Sequence, residues 1–367
     1  MINTPRLIET FSRYTACASE SGRERAMCEL VEEELNALGL TITRGEVGQK
    51  CGSDGWNVYG YLPGEGEPIL LSAHFDTVPP GVGVRAIVEN GVIRSAGDTI
   101  LGADAKAGIA AIVEALTVIR AQGLSHRPVE VFITICEELG LLGAKHADYS
   151  QMKSKQAVIL DSNTPGTMIN QGPAKAVVHV EIRGKSAHAA LAPDRGINAI
   201  KAAAAAIVNI PTGRVDECTV MNIANFLAPG KSNVVQEKAS FDLDMRALDR
   251  AVLERHLASV ETAVRDACEA VGAAVDIRVD WQTDVLYVSP DSPVIARLIE
   301  VYDELGVPWS VEKTFGGSDA TWIFEYGGMD AINIGTGMTD VHSTDESITV
   351  ADLTHTAEVT LRMMLKA

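Results

Sequence analysis

Short, uninterrupted apolar runs separated by helix-like segments constrain the fold of this 367-residue chain more than any other feature. Three such runs, Ile69–Ala73, Val129–Cys136 and Val158–Leu160, have the length of strands and no regular alternation with polar residues. Strands of this kind are buried on both faces, so helices must cover both sides of their sheet. The pattern predicts an α/β domain with a three-layer architecture.

Segments with helical periodicity lie before and between these runs. Thr4 and Pro5 introduce Leu7, Phe11 and Tyr14, whose spacing places three apolar side chains on one helix face. Further helices are predicted over 23–38, 105–120 and 295–305 and from position 140 onward, with another buried strand over 331–334. This alternation of strands and helices supports the α/β assignment.

The pattern changes after Gly172 and Pro173. Val178, Val180 and Ile182 alternate with polar residues, which indicates a strand with one face in water. Strands over 220–225 and 241–246 and helices over 198–209 and 250–271 are predicted to follow. We therefore expect residues 174–285 to form an inserted, smaller α+β domain, and residues 1–173 and 286–367 to form the α/β domain.

The chain carries a formal net charge of −18, which argues against partners that need a basic surface. Nucleic acids and anionic membrane surfaces both attract proteins through positive charge. No apolar stretch is long enough to span a bilayer, and the first residues lack the basic and apolar regions of a signal peptide. We expect a cytoplasmic protein with no nucleic-acid or membrane partner.

The six cysteines are spaced without a Cys-x-x-Cys pair, so the sequence indicates neither a zinc knuckle nor a redox dithiol. Cys136, at the end of an apolar run, is either a nucleophile or a small core residue. The absence of a partnering histidine favours the core residue, which is the usual location of a free cysteine.

Side chains that can bind metal ions recur at the ends of the predicted strands and before the predicted helices. They are His74 with Asp76, Asp104, Glu137 with Glu138, Asp161 and the late His342. The carboxyl ends of strands in an open α/β sheet form its ligand-binding edge, so we expect these side chains to converge. Two imidazoles and several carboxylates, without thiolates, suit two divalent cations such as zinc, manganese or cobalt.

Each of these residues also has a purely structural interpretation. Asp104 can cap the helix that follows it, and Glu137 with Glu138 can form the acidic first turn of a helix. Asp161 can cap a turn, and His342 can be an ordinary loop histidine. Adjacent like charges beside buried strands are unfavourable unless cations neutralise them, and this favours the metal-site interpretation for the set as a whole.

Four segments together resemble the M20 family of dinuclear zinc peptidases. They are 72–79, 101–110, 137–140 and the region of His342. The resemblance extends over nearly the whole chain, and the motif Leu-Gly-Ala-Asp-x-Lys-Ala-Gly at 101–108 is similar to the peptidase T-like branch. It implies a zinc-exopeptidase-type catalytic domain, with the inserted domain acting as a lid and as a homodimer interface.

The resemblance also implies a ligand set. It assigns His74, Asp104 and Asp161 to one metal ion. It assigns Asp104, Glu138 and His342 to the other, so that Asp104 is the bridge. The peptide bond after Asp104 is expected to be cis. The implied cofactors are two divalent ions, with Zn²⁺ first and Co²⁺ or Mn²⁺ as alternatives.

Three residues receive catalytic roles from the same resemblance. Glu137 becomes the general base, and Asp76 becomes the carboxylate that orients His74. His188 lies in the segment 184–189, which resembles the lid motif of the family. It is expected to donate a hydrogen bond to the developing oxyanion.

Substrate-binding residues are expected in two places. Asn233 and Arg246 match lid positions that bind a substrate carbonyl or carboxylate, although Arg246 can equally form an ion pair with Asp244 or Asp249. Gly317 and Ser318 lie in a glycine-rich turn before a predicted helix. The free N–H groups of that helix can receive a carboxylate, or the turn is simply capped by Asp319.

The resemblance implies metal-dependent hydrolysis of short peptides, with release of the N-terminal residue in the manner of a tripeptide aminopeptidase. Alternatives with the same metals and base are an N-acyl amino acid amidohydrolase or deacylase and a dipeptidase or carboxypeptidase. A non-catalytic binding protein on a peptidase fold would lack a metal ligand or Glu137. All of these residues are present.

Overall fold

The computed structural model describes residues 1–366, and the chain divides into two compact units. The first unit contains Met1–Asn170, Tyr287–Lys313 and the chain from Gly317. The second contains Gln171–Leu286 and Thr314–Gly316. Within the described span, none of the helices combines the length and the apolar character that crossing a bilayer requires.

The helices differ widely in length, from one turn to five or six. They are α1 (Thr4–Ala16), α2 (Arg25–Ala37), α3 (Gly48–Cys51), α4 (Ala103–Gln122), α5 (Leu142–Lys145), α6 (Ala199–Asn209), α7 (Arg250–Glu269), α8 (Pro293–Leu305), α9 (Ala320–Glu325) and α10 (Val350–Met364). A 3₁₀ turn covers Pro193–Arg195.

The strands form three sheets. They are β1 (Thr41–Gly45), β2 (Asn57–Leu62), β3 (Ile69–His74), β4 (Ala86–Glu89), β5 (Val92–Ser95), β6 (Val129–Thr134), β7 (Gln156–Pro165), β8 (Thr167–Gly172), β9 (Ala174–Arg183), β10 (Gly213–Arg214), β11 (Thr219–Leu227), β12 (Lys238–Ala247), β13 (Ala274–Thr283), β14 (Leu286–Tyr287), β15 (Ser310–Lys313), β16 (Asp330–Gly335), β17 (Met338–Thr339) and β18 (Ser347–Thr349).

The largest sheet has the order β1-β2-β6-β3-β7-β16-β8-β14, with β15 paired to β8. Its four central strands, β6, β3, β7 and β16, are mutually parallel, whereas β2 and β8 pair antiparallel at the two sides of this group. Strands β3 and β6 are buried at every position, as their predominantly apolar sequences predict. The parallel arrangement brings the carboxyl ends of the four strands to one edge of the sheet.

Helix α4 packs on this sheet against β3 and β7 and is buried almost all round, since α1 and α10 also pack on it. Gly108 makes the close approach possible. A Cβ atom at this position would lie 2.6 Å from the Leu160 carbonyl oxygen and 3.2 Å from Ala73 Cβ. The α4 backbone therefore lies directly against the strand ends that carry the functional residues.

The second unit contains an antiparallel sheet in the order β10-β11-β12-β9-β13. Strands β9 and β12 alternate between buried and exposed positions, and α6 and α7 pack against the buried side. The predicted helices and strands of this segment are present. Strand β13 was not predicted, although Val275, Ile277, Val279 and Trp281 alternate with polar residues there.

In the first unit, the predicted elements lie close to their observed bounds. The prediction missed several short elements and the long helix α10, in which buried residues include Leu353, Ala357 and Leu361. The small sheet β17-β18-β5-β4 was also missed, because strands of two to four residues with exposed positions carry too little periodic signal.

We predict that Gly108→Ala lowers the free energy of unfolding by about 1–3 kcal/mol, because the added methyl group meets backbone atoms that cannot move aside. Gly97→Ala is the matched control, since no atom lies within 4 Å of a Cβ atom there. The measurement is the urea unfolding midpoint of each metal-free protein. Equal midpoints for the two variants would contradict the close packing of α4.

Candidate metal centre

Strand β3 ends at His74, and the chain then turns through Asp76. Both side chains are buried, with 1% and 0% of their surface exposed. His74 Nδ1 lies 2.9 Å from the backbone carbonyl oxygen of Asp76. A carbonyl oxygen only accepts, so Nδ1 carries the proton and donates it, and in the neutral ring the Nε2 lone pair is left free to act as a ligand.

Asp104 lies at the start of α4 but outside helical geometry, with φ −80° and ψ 108°. Its peptide bond to Ala105 is cis, as expected. The two carboxylate oxygens face different imidazoles. Oδ1 is 2.9 Å from His74 Nε2, and Oδ2 is 3.3 Å from His342 Nε2. The helix-cap interpretation of Asp104 is wrong, because the helix has no side-chain cap and Gly102 occupies the N-cap position.

Two further carboxylates complete the arrangement around Asp104. Asp161 Oδ1 is 3.3 Å from His74 Nε2, and Glu138 Oε1 is 2.8 Å from His342 Nε2. The five residues predicted as ligands therefore converge, and Asp104 belongs to both halves of the group. One ligand atom each from His74, Asp104 and Glu138 lies within 4.8 Å of the others, so the two halves are close enough to form one centre.

Asp161 and His342 reach the centre through irregular backbone. Pairing of β7 with β16 passes from Leu160 directly to Pro165, so Asp161 stands at the start of a bulge. Its backbone is held on both sides by Asn333, which accepts from Asp161 N at 3.2 Å and donates to Asp161 O at 3.1 Å. His342 lies in a loop with φ 63° and is half exposed.

Asp76 is chiefly a hydrogen-bond acceptor for the next loop. Its Oδ1 accepts from Glu137 N at 2.9 Å, and its Oδ2 accepts from Glu138 N at 3.2 Å and from Ser21 Oγ at 2.7 Å. The distance from its carboxylate to His74 Nδ1 is 3.6 Å. The contact of Asp76 with His74 is therefore made mainly by its backbone, while its side chain holds the loop that carries Glu137 and Glu138.

The electrostatics of the group indicate an excess of buried negative charge. Burial raises the pKa of Glu137 well above its ordinary value, and the neighbouring Asp161 raises it further. Burial also raises the pKa of Asp161 to about 7 and raises that of Glu138. Hydrogen bonding to Asp104 raises the pKa of His342 to about 9, with Glu138 adding to the effect.

These pKa values are all raised, as expected of a site whose negative charge attracts cations. Two imidazoles and three carboxylates are nitrogen and oxygen donors of the kind that zinc, manganese and cobalt accept. The donor set therefore fits a pair of divalent ions that share Asp104.

Asp319, at the end of the glycine-rich turn, was not assigned a functional role from the sequence. Gly317 is exposed and Ser318 is buried, and the following helix α9 has only six residues. Asp319 occupies the N-cap position of α9, but its side chain makes no capping hydrogen bond, so the interpretation of a turn capped by this carboxylate is wrong. Instead its carboxylate accepts a hydrogen bond from Thr134 Oγ1 at the end of β6, and burial raises its pKa to about 6.

Two further buried carboxylates were missed by sequence reasoning. Glu24 Oε1 accepts from Cys136 N at 3.1 Å, next to the loop that Asp76 holds. Glu346 accepts from the backbone N–H groups of Leu101, Gly102 and Asp104. Neither residue belongs to a periodic pattern, and the one available signal is that Glu346 lies four positions after His342.

Cys136 is a buried residue whose thiol donates to Glu24 Oε1 at 3.2 Å. Burial, reinforced by Glu24, raises the pKa of this thiol far from the range of a reactive thiolate. The prediction of a core residue is therefore confirmed. All six cysteines are free thiols in the structure.

The remaining predicted residues belong to the second unit. His188 is exposed, and its Nδ1 accepts from Ala190 N and Leu191 N, each at 3.2 Å. Nε2 therefore carries the proton of the neutral ring and is a hydrogen-bond donor. Asn233 is exposed, and its backbone oxygen accepts from Ala189 N at 3.0 Å.

Arg246 forms the ion pair with Asp244 that the sequence left open. Its Nε and one terminal nitrogen donate to the two carboxylate oxygens at 2.8 and 3.1 Å. The other terminal nitrogen donates to the Phe315 carbonyl oxygen at 2.9 Å. Two of the five N–H groups of a guanidinium therefore have no partner among these three contacts.

Two imidazoles and three carboxylates that converge at the carboxyl edge of an α/β sheet, with a further glutamate beside them, define the site of a metal-dependent hydrolase. The chain belongs to the peptidase family M20/M25/M40, whose profile it matches over residues 70–366. The predicted α/β fold class and the predicted M20 hydrolase are thereby confirmed.

Three proteins are similar to this chain over nearly its whole length. The protein YqjE of Bacillus subtilis (strain 168) is 31% identical over 370 residues, covering 100% of each chain. The structure of aminopeptidase PepT from Bacillus cereus ATCC 10987 superimposes with a TM-score of 0.94 at 31% identity, covering 99% of this chain and 98% of the other. A tripeptidase from Staphylococcus aureus subsp. aureus mu50 gives a TM-score of 0.96 at 29% identity, with 99% and 98% covered.

These comparisons confirm the prediction of a peptidase T-like member of the M20 family. They also confirm metal-dependent peptide hydrolysis as the class of activity.

We predict that Asp76→Asn weakens metal binding or kcat/KM by about 10–100-fold. An asparagine has one acceptor oxygen, so its NH₂ group must face the N–H of either Glu137 or Glu138. Ser21→Ala is the control, because it removes one donor to Asp76 and leaves both backbone contacts intact. Metal titration and steady-state kinetics are the measurements. Wild-type values for Asp76→Asn would show that the loop does not need this carboxylate.

Proposed function

We propose that this protein is a dinuclear metal aminopeptidase that releases the N-terminal residue from short peptides, tripeptides in particular. The observation that carries the proposal is the Asp104 carboxylate, whose two oxygens face His74 and His342 separately. Support for the substrate class comes from similarity to an aminopeptidase PepT and a tripeptidase over nearly the whole chain.

We assign His74, Asp104 and Asp161 to one ion and Asp104, Glu138 and His342 to the other, with Zn²⁺ as the preferred metal. The distances from both imidazoles to Asp104 support this division. When bound, two such ions lower the pKa of a water molecule and polarise the scissile carbonyl group. Co²⁺ and Mn²⁺ accept the same donors.

Glu137 is assigned as the general base. Asp76 fixes the backbone of Glu137 by accepting a hydrogen bond from its N–H, and Glu137 adjoins Glu138 in the sequence. One of its carboxylate oxygens takes a proton from the attacking water and then passes it to the nitrogen of the leaving amine. The same group thus acts first as a base and then as an acid.

His188 is assigned as the donor to the developing oxyanion. Two backbone N–H groups occupy its Nδ1, which leaves an N–H on Nε2 for this purpose. Arg246 is assigned to a substrate carboxylate, because Asp244 and the Phe315 carbonyl oxygen fix its guanidinium while leaving donors free. Asn233, Gly317 and Ser318 are assigned to substrate binding through their match to the family positions.

We assign the inserted residues 174–285 a role as lid and homodimer interface, and we place the protein in the cytoplasm. The net charge of −18 supports the absence of nucleic-acid and anionic membrane partners.

We predict that Glu137→Gln retains two metal ions per chain and loses about 10²–10⁴-fold in kcat, because only proton transfer is removed. Asp104→Ala is the contrasting variant, since loss of the shared carboxylate should deplete the bound metal. Elemental analysis and tripeptide hydrolysis measure the two effects. An active Glu137→Gln enzyme would refute the base, and a fully metallated Asp104→Ala protein would refute the bridge.

We predict that the purified protein contains two divalent ions and cleaves tripeptides faster than dipeptides or N-acetyl amino acids. The measurement is metal analysis combined with hydrolysis of a panel of these three substrate classes. Removal of the metal with a chelator should abolish turnover, and Zn²⁺ or Co²⁺ should restore it. Faster cleavage of N-acetyl amino acids would favour an amidohydrolase instead.

A further inference from the structure

Glu346 is a buried carboxylate outside the ligand set, with 1% of its surface exposed. It lies four residues after His342, on the loop that leads into β18. Its hydrogen bonds, however, go to the loop that precedes α4, some 242 to 245 positions earlier in the chain. One side chain thus joins the loop of His342 to the start of α4, which carries Asp104.

The contacts of Glu346 are numerous and directional. Oε2 accepts from Leu101 N and from Gly102 N, both at 2.7 Å, and Oε1 accepts from Asp104 N at 3.1 Å. Gly102 has φ 77°, a left-handed conformation that turns its N–H toward the same carboxylate. The backbone on the N-terminal side of Asp104 is therefore fixed by a single carboxylate.

This arrangement has a consequence for the geometry of Asp104. Its two oxygens face two different imidazoles, so a small rotation of the backbone at Asp104 would move one oxygen away from His74 or His342. Gly102, at the N-cap position of α4, has no side chain that could accept these hydrogen bonds in place of Glu346. Glu346 is the group that holds this backbone in place.

We propose that Glu346 is a positioning residue for the metal centre, which sets the orientation of the Asp104 carboxylate relative to the His342 loop. The inference rests on the proposed function, because it takes Asp104 as the ligand shared by two ions. Glu346 itself does not contact the substrate or supply a ligand atom. Its effect is to pre-form the bridge before metal binds.

The substitution Glu346→Gln probes this role selectively. A glutamine can direct its oxygen to Leu101 N and Gly102 N, but its NH₂ group must then face the N–H of Asp104, and donor faces donor. The contact to Asp104 is lost while the side-chain volume is retained. Glu346→Ala removes all three contacts.

Glu130 provides a matched control. It is also fully buried, with one oxygen accepting from Tyr59 Oη and Lys153 N and the other from Ser154 N. It lies near the start of β6, at the opposite end of this strand from the loop of Glu137 and Glu138. Glu130→Gln therefore imposes the same chemical change and a similar loss of hydrogen bonding away from the metal ligands.

The experiment is titration of the metal-free full-length protein with Co²⁺, followed by visible absorption and by competition with a chelator. We expect wild type to bind two Co²⁺ ions. We expect Glu346→Gln to weaken at least one of them by about 10–100-fold with altered absorption bands, and Glu346→Ala to weaken binding further. Glu130→Gln should keep wild-type affinity and bands even if its unfolding midpoint falls.

Three results would overturn the inference. Wild-type Co²⁺ affinity and bands in Glu346→Gln would exclude a positioning role while leaving the dinuclear site intact. An equal loss in Glu130→Gln would assign the effect to general destabilisation. Failure of wild type to bind two Co²⁺ ions would overturn the proposed function and this inference together. If Glu346→Ala does not fold, Glu346→Gln alone decides among these results.

Discussion

The free-energy cost of placing several carboxylates close together in a buried region is the main constraint on this structure. Asp104, Glu138 and Asp161 contact the two imidazoles, and Glu137 stands beside them. Burial raises the pKa of Glu137 and Asp161, which means that the protein disfavours their charged forms until opposing charge is supplied. Divalent cations supply that charge, so the site is built to be completed by metal.

A second set of carboxylates holds the backbone segments that carry the first set. Asp76, Glu24 and Glu346 accept hydrogen bonds from backbone N–H groups of two segments. One is the loop that carries Glu137 and Glu138, and the other is the start of α4 with Asp104. Such bonds to a carboxylate fix the backbone of the segment that donates them. The backbone beside the predicted ligands is thereby held by side-chain carboxylates as well as by regular secondary structure.

The sequence predicted the strands best where both faces are buried. The apolar runs that form β3 and β6 are suited to the buried interior of a sheet. The residues that follow them therefore lie at the edge of the sheet where ligands bind. Strand β13 was overlooked despite its alternation, and β4 and β5 are too short and too exposed to give a signal. Glu346 gave no local signal, because its partners lie in a distant part of the chain.

The sequence by itself determined the α/β fold class and the set of imidazoles and carboxylates at the strand ends, since these depend on residue type and on order along the chain. The resemblance to the M20 family then selected the five expected metal ligands and the glutamate beside them. Only the tertiary structure decided that the Asp104 oxygens face separate imidazoles, that His74 donates to the backbone of Asp76, and that Arg246 is engaged by Asp244. These contacts are set by how strands and loops pack, and packing brings together groups whose separation along the chain carries no information about their distance in space.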